Sequence, residues 1–316
     1  MSVVRIALGL CLCAVLACQS NKSRHVLTGN EYARDGLLKE AVSAYRLALQ
    51  KDPNNHAASR NLGLLYVRMG KYSLAIKHLR RSLDFFRNDF DIHFYLGEAY
   101  RSKERYAEAI YRYRSAINIK PDAPEALKSL GWTYYKINLL QDAEATIKKF
   151  LTLDRNDYDG VIILARVYFR QNRYKSAMKL IEAYRAKVDA RSLSYLQSIE
   201  GDINMKAGRI KVAMQLYRDA LRKSPMLVGA LLGLGRVAIK QKHPQHAIRY
   251  LKRAVRLNPK SSQAHMLLGQ AYEGINVRKS LDYYRRYKQL ARQQREPANQ
   301  VAIVNSRIER LQKATN

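Results

Sequence analysis

The sequence predicts an all-α solenoid of about eight helix–turn–helix repeats that ends in a C-terminal capping helix. The first observation is a column of alanines that recur every 34 residues, with one step of 36: Ala41, Ala75, Ala109, Ala143, Ala177, Ala213 and Ala247. The second is a column of small residues in the same register: Gly29, Gly63, Gly97, Gly131, Ala165, Gly201, Gly235 and Gly269. A fixed period of this length indicates a stack of similar supersecondary units.

Each block of the period predicts two antiparallel helices, because its apolar residues recur at three- and four-residue steps on both sides of a short break. Leu62 and Tyr66 precede the break, and Ala75 and Leu79 follow it. The small residue lets the second helix approach the first, so a bulkier side chain at Gly63 should cost about 1–3 kcal/mol. Four blocks end in a proline, which cannot lie inside a helix: Pro53, Pro121, Pro225 and Pro259.

Tyrosines form a third column, three residues after the small residues: Tyr32, Tyr66, Tyr100, Tyr134, Tyr168 and Tyr272. Together with the period, these columns resemble the tetratricopeptide-repeat (TPR) family, whose repeats stack into a right-handed superhelix. The register starts eight repeats near Lys22, His56, Phe90, Pro124, Tyr158, Ser194, Val228 and Ser262. The predicted array takes residues 22–295, and a capping helix and tail take 296–316.

Two places depart from the regular pattern. The extra residues Ser192 and Leu193 fall between the fifth and sixth repeats, where we expect a local change of the superhelix. The eighth repeat is one residue short, with Ser280 or Leu281 where the alanine should stand. The capping helix is expected to begin at Pro297 and to cover the exposed end of the array. Its apolar positions are Val301, Ile303, Ile308 and Leu311.

The first 17 residues predict a cleaved signal peptide. A basic residue, Arg5, precedes twelve apolar residues from Ile6 to Ala17. Such a segment is too short to span a bilayer as a helix, which takes about 20 residues. The sequence Val15-Leu16-Ala17-Cys18 resembles the lipobox of bacterial lipoproteins, in which the cysteine is lipidated. An ordinary signal peptide or an uncleaved anchor is the alternative.

The remaining cysteines agree with export. Cys11 and Cys13 lie in the segment to be removed, so Cys18 alone stays in the mature chain and no internal disulfide can form. Residues 18–21 would form the lipidated cysteine and a short tether. The lipoprotein resemblance implies, from Gln19 after the cysteine, transfer to the periplasmic face of the outer membrane.

Composition describes a folded chain with a large positive charge. Of 316 residues, 47% are hydrophobic, and no second apolar run reaches membrane-spanning length, which excludes channels and carriers. The chain has 57 basic and 26 acidic side chains, a formal charge of +31. This excess either is a solvated surface or attracts an acidic protein, an anionic lipid, lipopolysaccharide or an acidic polymer.

The first helices of a TPR array line its concave groove, and their last turns carry one basic residue at a repeated place: Arg34, Arg68, Lys136, Arg170, Lys206 and Lys240. Further candidates for a protein-binding groove are Arg60, Phe94, Lys128, Trp132, Tyr135, Arg166, Phe169 and Arg236. Arginine and exposed aromatic side chains are the usual anchors of protein interfaces. A core role for Trp132, the only tryptophan, is the alternative. The chaperone-tail clamp of some TPR domains is not carried over, because only fragments of its residue set, such as Arg60 with Asn61, are present.

The sequence predicts neither catalysis nor a metal or cofactor site. The histidines are spread mostly one to a repeat, and His243 and His246 flank Pro244 rather than forming a helical HExxH pair. There is no phosphate-binding glycine loop and no serine or thiol nucleophile in a recognisable motif. We therefore expect no small-molecule substrate.

The expected function is that of an envelope scaffold. The layout resembles the pilotin lipoproteins of type IV pilus secretin assembly and, with nearly equal weight, polysaccharide-export scaffold lipoproteins. In the first case the groove would hold a protein segment; in the second it would attract an anionic polymer. Nucleic-acid binding, suggested by Tyr111-Arg112-Tyr113-Arg114, ranks below both.

Overall fold

A computed structural model of the chain describes residues 24–294 and 298–314, and within these it contains 17 α-helices and no strand. Helix α1 takes residues 24–34. The other helices are α2 (Leu38–Lys51), α3 (His56–Arg68), α4 (Tyr72–Leu83), α5 (Phe90–Ser102), α6 (Tyr106–Ile119), α7 (Pro124–Lys136), α8 (Leu140–Leu153), α9 (Tyr158–Arg170), α10 (Tyr174–Tyr184), α11 (Ala190–Lys206), α12 (Ile210–Lys223), α13 (Val228–Lys240), α14 (Pro244–Leu257), α15 (Ser262–Tyr272), α16 (Val277–Gln294) and α17 (Ala298–Lys313).

The helices pair in sequence, so that α1 to α16 form eight repeats and α17 follows them. The odd-numbered member of each pair is called the first helix and the even-numbered member the second helix. The chain divides into two compact bodies, one ending at Asn156 and one starting at Asp157, with four repeats each. The predicted fold class of helix–turn–helix repeats with a C-terminal helix is confirmed.

The break inside each repeat is a tight turn with a left-handed residue at a fixed place. Seven residues with positive φ occupy it, at the same 34-residue spacing and with the same single step of 36: Gly36, Gly70, Glu104, Asn138, Asn172, Gly208 and Lys242. The residue that follows this left-handed residue donates its N–H to the carbonyl five residues earlier, for example Lys71 to Tyr66 at 2.8 Å. Only glycine and, to a lesser degree, asparagine adopt this conformation easily.

The glycine column allows the two helices of a repeat to touch. A Cβ atom added at Gly97 would lie 2.5 Å from the Tyr113 ring, and one at Gly131 would lie 2.5 Å from Ile147. The side chain that fills this space stands four residues after the alanine column and is buried in every repeat. It is Tyr45, Leu79, Tyr113, Ile147, Ile181, Tyr217, Leu251 or Tyr284.

The extra residues Ser192 and Leu193 lengthen a helix rather than separate two repeats. Helix α11 begins at Ala190, four residues before the predicted start at Ser194, and has 17 residues where α9 has 13. The side chain of Asp189 accepts a hydrogen bond from the Ser192 N–H and so starts the helix early. The placement of the two residues in a connection was wrong.

In the eighth repeat, Ser280 takes the place of the missing alanine. It is fully buried, and its hydroxyl donates to the Gly269 carbonyl at 2.8 Å. Helix α17 packs its buried Val304 and Leu311 on α16. Ile303, predicted to be on the apolar face, is 56% exposed, because the buried stripe runs through Val304 instead.

No helix in the described part of the chain combines the length and apolar character needed to cross a membrane. The predicted signal peptide, residues 1–17, and the tether with Cys18 lie outside the described residues.

The close contact at Gly97 predicts that a Gly→Ala substitution changes stability in the direction opposite to the usual one. In an open helix, Gly→Ala stabilises by about 1 kcal/mol, but here the new methyl group would collide with Tyr113, which is fully buried. We predict that Gly97→Ala lowers the free energy of unfolding by about 1–3 kcal/mol in urea titrations. Gly274→Ala is the control, because nothing lies within 4 Å of its added Cβ. Equal effects of the two substitutions would contradict the prediction.

Candidate protein-binding surface

The candidate groove residues lie on the first helices, at a few places that recur from repeat to repeat. Most lie three residues before, one residue after or four residues after the small residue of the helix. Around Gly131 these places hold Lys128, Trp132 and Tyr135. These positions are four and three residues apart, so they share one side of the helix. We call this side the first-helix face and describe it separately in the two bodies. All three residues of α7 are half-buried.

In the N-terminal body, Trp132 lies between two cations. The Arg101 guanidinium is 5.0 Å from the centre of the indole ring, and the Lys136 ammonium is 5.5 Å from it. Cations over a tryptophan face are attracted by its π electrons and hold the ring in place. The half-buried indole therefore belongs to the first-helix face and is flanked by positive charge, rather than enclosed in the core.

Glu98 is the centre of a polar cluster next to Trp132. Its Oε1 accepts hydrogen bonds from the Tyr113 hydroxyl at 2.6 Å and the Ser129 hydroxyl at 2.8 Å, and Arg101 forms an ion pair with it. Burial alone would raise the pKa of Glu98, but the hydrogen bonds from Arg101, Tyr113 and Ser129 outweigh it and hold that pKa below 4.5. Burial and the Glu98 carboxylate raise the pKa of Tyr113.

Arg60 and Phe94 are less available for a partner than predicted. Arg60 forms ion pairs with Asp89 at 2.6 Å and Asp91 at 2.7 Å, at the start of α5. Burial would raise the pKa of Asp89, but hydrogen bonds from Arg60 and the Ile92 N–H lower it. Phe94 stacks on Phe90 and packs against the alanine cluster of α6 and α7. Phe94 is therefore half-buried like Trp132, and the next repeat covers part of its ring.

Lys128 lies beside the core rather than apart from it. Its ammonium group is 5.5 Å from the centre of the buried Phe150 ring. The side chain is half-buried, so its charge lies at the rim of the first-helix face.

In the C-terminal body, Arg236 is neutralised by a carboxylate. It forms an ion pair with Asp202, which also accepts a hydrogen bond from the Tyr217 hydroxyl at 2.7 Å. Burial and the charge of Asp202 raise the pKa of Tyr217. This cluster repeats the arrangement at Glu98, with an arginine from the following repeat in place of Ser129.

Arg166, Phe169 and Arg170 lie together on α9 of the same body. The Arg166 guanidinium is 5.8 Å from the centre of the Tyr195 ring, and the Phe169 ring is 5.7 Å from that of Tyr174. Arg166 and Phe169 are half-buried, and Arg170 is exposed. This group therefore presents aromatic and cationic surface to solvent on α9.

The tyrosines of the second helices and their carboxylate partners were missed by the sequence analysis. Tyr113 and Tyr217 pass over the glycine of the first helix, and their hydroxyls reach Glu98 and Asp202, one residue after that glycine. The signal was present in the sequence as a tyrosine four residues after the alanine, together with an acidic residue after the glycine. At Gly131 the second helix supplies Ile147, which has no hydroxyl group. The position directly after this glycine, which holds the carboxylate in the other two repeats, is therefore free for Trp132.

The basic residues in the last turns of the first helices are exposed throughout the predicted set: Arg34, Arg68, Lys136, Arg170, Lys206 and Lys240. No three His, Cys, Asp or Glu side chains gather into a metal site among the described residues. The His243 and His246 rings lie 5.9 Å apart.

Segments across the chain match models of one repeat family. Residues 29–70 and 97–138 match a TPR repeat model, and residues 61–89, 128–192 and 204–271 match tetratricopeptide repeat models. Together these segments cover more than half of the chain. The chain belongs to the tetratricopeptide-repeat family. Arrays of this family generally act as non-catalytic scaffolds that offer extended binding surfaces for protein partners.

Curated relatives of this TPR protein are distant. BBSome complex member BBS4 of Bos taurus is 24% identical over 260 residues, covering 81% of this chain and 49% of that protein. Protein O-mannosyl-transferase TMTC1 of Homo sapiens is 26% identical over 210 residues, covering 66% of this chain and 24% of that protein. The chain thus spans about half or less of the length of these relatives.

Solved TPR structures share the fold. A tetratricopeptide repeat protein from Parabacteroides merdae superposes with a TM-score of 0.68 at 18% identity, over 80% of this chain and 99% of that one. Yeast Tom70 superposes with a TM-score of 0.62 at 14% identity, over 93% of this chain and 64% of that one. At these identities the likeness concerns the fold alone.

The Glu98 cluster makes stability depend on pH in a defined direction. Because its folded pKa is below the ordinary 4.5, the carboxylate stabilises the fold above about pH 4.5, and this stability is lost as pH falls through the folded pKa. We predict that Glu98→Gln costs about 1.5–3 kcal/mol near neutral pH and progressively less as the pH falls through the folded pKa. Urea unfolding across this range measures the difference.

The exposed Glu31→Gln serves as the control for that series and should change stability by less than about 0.5 kcal/mol. A cost of Glu98→Gln that stays constant from neutral to acid pH would show that the ionised carboxylate is not what the cluster stabilises.

Proposed function

We propose that this TPR protein is a non-enzymatic adaptor of a bacterial cell envelope that binds a protein segment on its first-helix face. The observation that carries the proposal is Trp132, a half-buried indole held between Arg101 and Lys136. A rigid aromatic ring with cations beside it is the composition of a binding hot spot. Phe169 with Arg166 and Arg170 supplies a comparable group on α9.

The location in the envelope rests on the N-terminal sequence. Residues Ile6 to Ala17 are apolar and Cys18 follows them, which supports cleavage after Ala17 and a lipid on Cys18. More than one acyl chain on that cysteine would give stable attachment. Gln19 after it supports the periplasmic face of the outer membrane. The partner would then be a component of an envelope assembly, and the pilotin resemblance favours a segment of a type IV pilus secretin.

An anionic polymer or lipopolysaccharide is the second candidate ligand, in the manner of polysaccharide-export scaffolds. The exposed basic residues in the last turns of the first helices favour it, because a row of cations attracts a chain of negative charges. The two candidates differ in salt dependence, since electrostatic attraction between exposed groups is screened within about 8 Å at physiological ionic strength.

The lipid attachment can be tested by fractionation. We predict that Cys18→Ala moves the protein from the membrane pellet to the soluble fraction or leaves it unprocessed, because the acyl chains can no longer be added. Cys13→Ala is the matched control, since this cysteine lies in the segment to be removed and should change neither processing nor fractionation. Unchanged membrane association of the Cys18→Ala protein would overturn the lipoprotein assignment.

The binding face can be tested by affinity capture from an envelope extract with washes at low and high salt. We predict that a protein retained through high salt by the wild type is lost from the Trp132→Ala/Phe169→Ala double variant, because each anchor contributes about 2 kcal/mol or more when buried. Circular dichroism should show unchanged helicity. Tyr111→Ala removes a 62% exposed ring from a second helix and should leave capture intact.

Two results of that experiment would contradict the protein-adaptor proposal. One is retention of only polysaccharide or lipopolysaccharide, all of it released at high salt. The other is equal capture by the double variant and the wild type.

A further inference from the structure

The positive charge of the C-terminal body is concentrated on three second helices. Helices α12, α14 and α16 carry fourteen basic residues: Lys211, Arg218, Arg222, Lys223, Arg249, Lys252, Arg253, Arg256, Arg278, Lys279, Arg285, Arg286, Lys288 and Arg292. They carry two acidic residues, Asp219 and Asp282. These helices thus hold about two fifths of the net charge of +31 on about a seventh of the chain.

Two other sets of helices are more balanced as groups. The first helices of the same body carry six basic and three acidic residues: Arg166, Arg170, Arg191, Lys206, Arg236 and Lys240, with Asp159, Glu200 and Asp202. The second helices of the N-terminal body carry ten basic and four acidic residues. If the positive charge were distributed evenly over the helices, the ratio of basic to acidic residues in α12, α14 and α16 would not differ so much from the ratio in these two sets.

The fourteen basic side chains are all exposed, and few are neutralised. Within the described part of the chain, Arg222 and Arg285 form the ion pairs of this set with carboxylates, to Asp219 and Asp282. We call this set the basic face. Its charge remains available to an external anion, in contrast to Arg236, which Asp202 holds on the first-helix face.

The basic face extends in two dimensions. Along α14, Arg249, Lys252, Arg253 and Arg256 occupy one side over about 10 Å, and along α16 the basic residues extend over about 20 Å. A cleft of about 450 Å³ between α12 and α14 is lined by Gln215, Arg218, Leu221, Arg222, Leu234 and Tyr250.

The charged row of α14 also reaches α16. Burial raises the pKa of Tyr283 on α16, and the charge of Lys252 on α14 partly opposes that rise. Tyr283 also packs against the core cluster that includes Leu251 and Ala254 of α14, and the cleft adjoins both α12 and α14, so the basic rows of the three helices lie side by side.

We propose that the basic face of α12, α14 and α16 docks on a membrane surface that contains anionic phospholipid headgroups. A charged area spread over three helices matches a plane of phosphates, whereas a linear polymer needs only one row of cations. Choosing a membrane over another polyanion rests on the lipid attachment proposed above. A chain already tethered to a bilayer gains from weak surface attraction because its effective concentration there is high. Basic clusters bind anionic bilayers in this way.

The experiment measures binding of the unlipidated chain from Gln19 onward to vesicles, so that it does not depend on Cys18 or on a captured protein. Sedimentation compares phosphatidylcholine vesicles with and without phosphatidylglycerol, at low and high salt. We expect binding to the phosphatidylglycerol vesicles alone and its loss at high salt.

Two variants with the same change of net charge locate the surface. Replacing Arg249, Lys252, Arg256 and Lys288 by Gln should weaken vesicle binding at least about tenfold, since each basic group near an anionic surface contributes to attraction. Replacing Lys39, Arg46, Lys51 and Lys77 by Gln removes four exposed charges from second helices of the N-terminal body, and it should weaken binding less than about threefold. Glutamine is a good helix former, so neither variant should lose helicity.

Three outcomes would overturn the proposal: no binding to phosphatidylglycerol vesicles, equal losses in the two variants, or tighter binding of the basic face to soluble dextran sulfate than to vesicles. The last would assign the face to an acidic polymer. Protein capture through Trp132 should be unchanged in the α14/α16 variant, so failure of vesicle binding and failure of the adaptor proposal are separate results.

Discussion

The contact between the small residue of each first helix and one buried side chain of its second helix is the constraint on which this array depends. Added Cβ atoms at Gly97, Gly201 and Gly235 would all come within 2.6 Å of that side chain. The two backbones are therefore as close as the residue types permit. With the helix pair fixed at this distance, a side chain long enough to cross the first helix emerges on its far side. Tyrosine is long enough, and leucine or isoleucine is not.

This crossing explains why polar clusters occur in some repeats and not in others. A buried tyrosine hydroxyl needs a hydrogen-bond partner. Tyr45, Tyr113 and Tyr217 find theirs in Asn30, Glu98 and Asp202, one residue after the glycine. In the last repeat, Tyr284 donates to Glu273. Each acceptor is then satisfied further by the next element: Asn61 for Asn30, Ser129 for Glu98, Arg236 for Asp202, and Arg307 of α17 for Glu273. The same residues that pack a repeat internally thus link it to its successor.

Periodicity was enough to predict the repeats, their glycine contacts and the C-terminal helix, because each depends on spacing along one chain segment. The early start of α11 was not predicted, since it depends on whether Asp189 or a later residue caps the helix, and both choices satisfy the period. The candidate surface was predicted less well. Arg60 and Phe94 have the residue types of an interface, but their availability is decided by neighbours about 30 residues away, Asp89 and the alanines of α7. A repeated column of residue types predicts the side of the helix on which a residue lies. It does not predict which side chains of the next repeat cover that residue.

The tyrosine–carboxylate clusters also decide where free positive charge remains in the C-terminal body. On its first-helix face, Asp202 is required by Tyr217 and consequently neutralises Arg236. On α12, α14 and α16, the carboxylates that pair with basic side chains in the described part of the chain are Asp219 and Asp282, so most of the positive charge of these helices has no carboxylate beside it. The body therefore has one face where aromatic contact would supply binding energy and another where charge would supply it. Salt weakens the second kind of contact far more than the first, so the affinities of the two proposed ligands would respond differently to ionic strength.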